Sequence, residues 1–210
     1  QEKYRFRLIY PSSSEVYGKT YVGLMTEDVP QKTAVRLSND YALSKWVNEM
    51  QILNSMERTG TESVRWRFSN VYGPWEYYNE YRSAVCVFVY RALHGMPYTV
   101  YTGGKRAFLY IDDAIRTVSN ICERFQSGEV YNIANRDLID MKQVSDMILE
   151  LLGKDDTLVE YKEEEGPIST LVKDVDNTKA IRDLGHTQTV ALKEGLVRTI
   201  AWQKKIYDIS

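Results

Sequence analysis

Tyr41 and Lys45 stand four residues apart, and Ser12, Ser13, Ser14 and Glu15 lie upstream of them. On a helix, side chains four apart share a face one turn apart, so a phenol and an ammonium can act as a pair. A free phenol, with a pKa of about 10, is a poor base at neutral pH. An ammonium roughly 4–5 Å away, at an effective dielectric of about 20, contributes on the order of 3–4 kcal/mol toward the ionised phenol. Tyr41 so assisted can accept the proton of an alcohol whose carbon gives up a hydride. A serine hydroxyl beside the pair can bond to the same alcohol. Glu15 adds a carboxylate able to remove the acidic C–H next to a newly formed carbonyl, which elimination of water requires. Plainer readings stand beside these. Tyr41 and Lys45 also suit a solvated helix face, the serines suit turn chemistry, and Glu15 can satisfy backbone N–H groups or pair with Lys19.

The elements that must position these groups follow from pattern. Arg5 to Tyr10 is rich in β-formers and reads as a strand running into Pro11, with the serines at its C-terminal end, where ligands of open α/β sheets bind. A helix is predicted from about Asp40 to Met56, ending near Gly60, with Ser38, Asn39 and Asp40 as candidate N-caps. Leu43, Trp46, Val47, Met50 and Leu53 make one apolar stripe on it, roughly opposite Tyr41 and Lys45, facing the core or a partner subunit. Beyond it, Glu62 to Phe68 reads as a strand, Arg82 to His94 as an apolar helix, Pro97 to Tyr101 as extended and Asp112 to Phe125 as helical. Glu129 to Ile133 is a strand, Asp140 caps a helix reaching Leu152, Glu163 to Pro167 is a loop, and Val190 to Tyr207 is a long helix. Alternating strands and helices predict an α/β fold.

Three segments together, Pro11-Ser-Ser-Ser-Glu-Val-Tyr-Gly18, Tyr41-Ala-Leu-Ser-Lys45 and Arg67-Phe-Ser-Asn-Val-Tyr-Gly-Pro74, resemble the extended short-chain dehydrogenase/reductase family, specifically its NAD-dependent sugar-nucleotide epimerases and dehydratases. Gly103 to Asp113, Asp176 to Gly185 and Glu194 to Trp202 extend the resemblance over nearly the whole chain. It implies the C-terminal portion of a Rossmann-like doubly wound parallel sheet plus a small α/β substrate-binding lobe. Residues 1–70 would be the second half of the Rossmann-like domain, and 71–210 the lobe with the remaining Rossmann elements. It implies that Tyr41 is the base, that Lys45 tunes it and contacts the nicotinamide ribose of NAD, and that Ser13 is the hydroxyl partner. Asn70 would contact the sugar diphosphate and Arg106 would hold a phosphate. Glu15 matches a Glu of the 4,6-dehydratases and of UDP-glucuronate decarboxylases. Ser14, like the Ser before that Glu in the decarboxylases, joins the substrate contacts.

The chain departs from the family pattern in two places. None of its twelve glycines forms the Gly-x-x-Gly-x-x-Gly turn that holds the dinucleotide pyrophosphate at a helix N-terminus. The expectation is that an N-terminal part of about a hundred residues, at roughly 30 per βαβ unit, is absent or supplied by a complementary NAD-binding chain. Further, a phosphate-binding Arg common before the stretch at Asp176 is replaced by Ile168-Ser-Thr-Leu-Val172. The functional alternatives are a UDP-glucuronate decarboxylase-like enzyme and a non-catalytic sugar-nucleotide-binding or dimerisation subunit. A ketone reductase using NADP is disfavoured by the Arg67 and Arg106 elements.

Composition narrows the class. At 43% hydrophobic and 27% charged, 210 residues can bury a core. A net charge of −2 gives no reason to expect nucleic acid. Neither an apolar run long enough to span a bilayer nor a signal peptide is found, so the expectation is a cytoplasmic protein, with a homodimer implied by the family. Cys86 and Cys122 lack metal-ligand spacing and read as buried thiols, and no metal site is expected. His94 suits a helix C-terminus and His186 a surface turn. For Asp112 or Asp113 an N-cap role is expected. Tyr77, Tyr78 and Tyr81 read as an amphipathic loop surface or a wall for a base or sugar.

Overall fold

The computed structural model describes residues 1–18, 23–37, 39–163 and 172–209. Strand β1 (Leu8–Ser13) leads into a 3-10 turn at Ser14–Tyr17, then α1 (Val29–Lys32), α2 (Asp40–Thr59), β2 (Ser63–Phe68) and β3 (Val71–Tyr72). There follow α3 (Ala84–Leu93), β4 (Tyr98–Thr102), β5 (Lys105–Ala107), β6 (Leu109–Tyr110), α4 (Ile111–Glu123), β7 (Val130–Ile133) and β8 (Leu138–Asp140). The chain closes with α5 (Met141–Leu152), β9 (Val159–Glu163), α6 (Thr178–Leu184) and α7 (Leu192–Ile206).

The site rests on a parallel sheet of order β1-β2-β7. Strand β2 alternates: Val64, Trp66 and the half-buried Phe68 pack with Ala114 and Ile121 of α4 and Leu184 of α6, while Arg65 and Arg67 turn to Glu49 of α2. Helices therefore cover both faces, the doubly wound arrangement expected. A second core joins α3, α5 and α7 to β4, around Phe88, Val89, Val100, Ile148 and Leu196.

Two expected elements are corrected. The first strand begins at Leu8 and continues through Pro11 to Ser13 instead of stopping before the proline. Among the described residues β1 pairs only with β2. The Leu8 N–H donates to the Glu62 carbonyl, so by alternation the Pro11 nitrogen faces the open edge, where a missing N–H costs nothing. The apolar stripe of α2 does not face the core. Leu43 and Val47 are exposed, and Ala42, Glu49 and Ile52 are buried instead.

Helix α2 starts where Asn39 accepts from the Ala42 N–H, at 2.8 Å, and ends on Gly60 in a left-handed conformation. Ser38, the other candidate cap, lies outside the described residues, as do Lys19 and residues 164–171 of the two C-terminal stretches singled out above. Three single residues also differ from expectation. His186 is buried, bonding to the Thr117 hydroxyl at 2.7 Å and the Ala134 carbonyl at 3.0 Å. Asp113 does not cap α4, whose N-cap position is Tyr110; it is buried and accepts the backbone N–H groups of Thr189 and Val190 just before α7. Cys122 is exposed on α4, and only Cys86 is buried.

Candidate active site

Lys45 projects from the second turn of α2 toward the end of β1, where its ammonium donates to the Pro11 carbonyl at 2.8 Å. Since the Pro11 backbone faces the open edge, Lys45 caps a carbonyl that β2 cannot reach. The same ammonium lies 5.6 Å from the centre of the Tyr41 ring and 5.4 Å from that of Tyr10. Burial pushes the Lys45 pKa below its ordinary value. Tyr41 itself is half exposed, so its phenol is open to a ligand. The Tyr-x-x-x-Lys pair thus meets the strand end, as the spacing requires.

Two residues beyond Pro11, Ser13 is buried and its oxygen accepts from the Glu15 N–H at 3.2 Å, capping the 3-10 turn. The turn-chemistry reading therefore holds for this oxygen. Its O–H donates to none of the described residues. Ser14 is also buried. Ser12 donates to Glu49 at 2.5 Å, which ties the strand end to α2. Glu15 pairs with Lys173, a partner that sequence spacing could not supply.

The largest surprise is what holds α2 in place. Glu49, one turn after Lys45, is completely buried. It accepts from Arg67 Nε at 2.9 Å and Nη2 at 2.8 Å, with Arg65 at 3.5 Å. Burial raises the Glu49 pKa, but the Arg67 hydrogen bonds and charge, with Ser12 and Arg65, outweigh it, and the group stays below the usual carboxylate range. Arg67 also donates to the Tyr17 hydroxyl at 3.1 Å, which in turn donates to Asn132 at 2.5 Å. Burial pushes Tyr17 up to about 12, so it stays a neutral phenol. The clue was in the sequence: two arginines alternating with apolar residues in one strand demand a buried acid.

Asn70 and Arg106 meet elsewhere. They line one cavity of about 350 Å³ with Phe88, Thr99, Tyr101 and Phe108. Asn70 holds φ +45°, a left-handed conformation that Asn tolerates, and donates to the Ala107 carbonyl at 3.1 Å. Arg106 donates to its neighbour's carbonyl in β5, at 3.0 Å. Arg82, not singled out for chemistry in the sequence, lines the same cavity. Tyr41, Lys45 and Ser13 are not among the residues lining it. Of the tyrosines 77, 78 and 81, Tyr78 stacks on Tyr90 at 3.7 Å, Tyr77 stands against Trp202, and Tyr81 is exposed. Among the described residues no three His, Cys, Asp or Glu side chains are grouped to hold a metal.

Residues 2–134 match the model of the NAD-dependent epimerase/dehydratase family. The chain belongs to this family. One family relative is the dTDP-glucose 4,6-dehydratase of Streptomyces griseus, 31% identical over 196 residues, covering 92% of this chain and 57% of the relative. The dTDP-D-glucose 4,6-dehydratase of Mus musculus is 26% identical over 207 residues, covering 95% and 56%. Among solved structures, the UDP-glucuronic acid 4-epimerase of Bacillus cereus, in complex with UDP-glucuronic acid and NAD, superposes with a TM-score of 0.83 at 25% identity. It covers 96% of this chain and 62% of its own. The dTDP-glucose 4,6-dehydratase DesIV of Streptomyces venezuelae, solved with NAD bound, also gives 0.83 at 25% identity, covering 95% and 60%. The chain therefore spans a little under three fifths of the length of these two relatives, and the fold is the Rossmann-like α/β architecture of this family.

Proposed function

We propose that this chain carries the catalytic and substrate-binding residues of an NAD-dependent sugar-nucleotide dehydratase or epimerase. The observation that carries the proposal is the Lys45 ammonium, bonded to Pro11 at the end of β1 and facing the Tyr41 ring. The family relatives named above, and the NAD in two of their solved structures, support it.

NAD, when bound, supplies a reversible acceptor for the hydride on the carbon that bears the reacting hydroxyl. Tyr41 takes the proton of that hydroxyl, and Lys45 stabilises the phenolate and would also hold the nicotinamide ribose. Ser13 bonds to the same hydroxyl through the proton it gives to no described group. Glu15 serves as a second acid or base next to the carbonyl, with Lys173 holding its carboxylate. Ser14, Asn70 and Arg106 bind the nucleoside-diphosphate sugar, the last two from one cavity.

The residues present fit the nicotinamide end of the cofactor, since an exposed phenol and a half-buried ammonium converge at an open strand end. These 210 residues contain no glycine-rich turn for its pyrophosphate. The proposal therefore needs further chain, joined or separate, and the unpaired edge of β1 supports sheet extension there. The exposed Leu43 and Val47 on α2 support a homodimer through that helix face. Among the described residues no helix is long and apolar enough to cross a membrane; a cytoplasmic location is part of the proposal.

The test is Tyr41→Phe in the assembled protein, with its NAD-binding part present, supplied with NAD and with dTDP-glucose or UDP-sugars. Turnover should fall by at least about 100-fold, with melting temperature and circular dichroism unchanged. Turnover equal to that of the parent would favour the non-catalytic binding subunit instead. Intact mass of the native protein with a search for copurified NAD tests the cofactor separately.

A further inference from the structure

We infer that Lys173 is the acid that protonates the departing hydroxide when this protein eliminates water; the inference rests on the dehydratase side of the reading above. The backbone around Lys173 is pinned from two sides. Its N–H donates to the Lys105 carbonyl of β5 at 3.3 Å, and the Asp174 carbonyl next to it accepts from the N–H of the buried Met25 at 2.8 Å. The strap so held brings the Lys173 ammonium to the carboxylate of Glu15, on the 3-10 turn that Ser13 caps. The lysine side chain is 13% exposed and that of Glu15 31%, so the ammonium is the more enclosed of the two. An ammonium has three N–H groups to donate. Among the described residues this one uses a single N–H, on Glu15. An enclosed ammonium with donors to spare, beside Ser13 and Glu15, is suited to an oxygen that arrives with the ligand.

Loss of water next to a carbonyl needs two proton transfers, one off carbon and one onto oxygen, because hydroxide is a poor leaving group. Glu15 performs the first. Its carboxylate takes the proton from the carbon beside the carbonyl, and the C–H electron pair becomes the new C=C bond. The C–O bond on the next carbon breaks with its pair on oxygen, Lys173 gives that oxygen a proton, and water leaves. A carboxylic acid then faces a neutral amine, and its proton crosses the hydrogen bond between them to restore carboxylate and ammonium. The pairing lets the two transfers assist each other. As Glu15 takes up its proton it loses the charge that favoured the ammonium, which then releases its own proton more readily. The nearest alternatives are poorer donors. Ser14 offers an alcohol, a far weaker acid than an ammonium, and Lys45 is bonded to Pro11 and faces Tyr41.

The experiment uses the assembled protein, with its NAD-binding part present, and two substrates: dTDP-glucose and its analogue with fluorine in place of the departing hydroxyl. Fluoride leaves without a proton, so its release needs Glu15 but no acid. Lys173→Arg keeps the charge beside Glu15 yet holds its proton too tightly to give it up. Lys173→Gln keeps an N–H toward Glu15 without a transferable proton. Each should slow loss of water by at least about 100-fold while fluoride release stays within about threefold of the parent. Either variant that melts like the parent decides the question. Glu15→Gln should abolish both releases, and fluoride release that survives it would overturn the pairing. Loss of water by the lysine variants at the parent's rate would overturn the assignment. So would equal slowing of water and fluoride, which would leave Lys173 a positioning group for Glu15. A parent that epimerises nucleotide sugars and releases no water would overturn the inference but not the reading of Tyr41. A parent that turns over no nucleotide sugar would sink both.

Discussion

Single side chains here do two kinds of work, which respond differently to substitution. Lys45 combines a structural bond to Pro11 with a charge facing Tyr41. Lys45→Met should therefore cut turnover by about 100-fold or more, as loss of an acid–base pair does. It should also cost about 1 kcal/mol of stability from the orphaned strand-end carbonyl, read as a lower urea midpoint. Gly195 is purely structural. A Cβ there would press into the Tyr72 hydroxyl and stand 2.8 Å from Tyr72 Cζ and 2.9 Å from Tyr110 Cδ2. Both rings are buried, so Gly195→Ala should cost about 1–3 kcal/mol by overpacking. The two cysteines separate by environment. Burial pushes the Cys86 thiol up to about 12, and its sulfur donates to the Glu76 carbonyl at 3.2 Å. A thiol reagent at neutral pH should titrate Cys122 at once and Cys86 only on unfolding.

At the scale of elements, the decisive joint is α2 against β1 and β2. One carboxylate, Glu49, answers Arg67, Arg65 and Ser12. Glu49→Ala leaves two buried guanidiniums without their acid and should destabilise the protein by about 3–5 kcal/mol, measured by chemical denaturation. The joint also gives the fold a pH dependence whose sign can be worked out. The folded pKa of Glu49 lies below the unfolded one, so its contribution is complete above the unfolded value, about 4.3, and is lost as pH falls through the folded value. Burial also depresses His186, and its contribution is complete above about 6.5 and lost as pH falls through its lowered value. Glu27 works in the other direction: burial raises it, so its contribution is complete in acid and is lost as pH rises. Denaturation midpoints should thus decline as pH drops below about 6.5. Glu27→Gln, whose oxygen can still accept the Asn132 N–H that Glu27 accepts at 2.9 Å, should steepen that decline by removing a group that opposes it.

Over the whole molecule, the sequence by itself determined the fold class and the chemistry-bearing pairs. These are written in short-range periodicity: a phenol and an ammonium one helical turn apart, a cap for α2 among Ser38, Asn39 and Asp40, Asp140 as the cap of α5, Gly60 as a stop, and a strand ending in serines. Local backbone geometry fixes such features whatever surrounds them. Only the tertiary structure decided which face of α2 is inside, because Glu49 outranks five apolar residues once Arg65 and Arg67 approach from β2. It likewise buried His186, gave Glu15 the distant partner Lys173, turned Asp113 from a cap into an anchor for α7, and brought Arg82 to the cavity of Arg106. Each of these depends on charges or hydrogen bonds between segments far apart in the chain, and no spacing rule within one segment encodes the group that arrives from another.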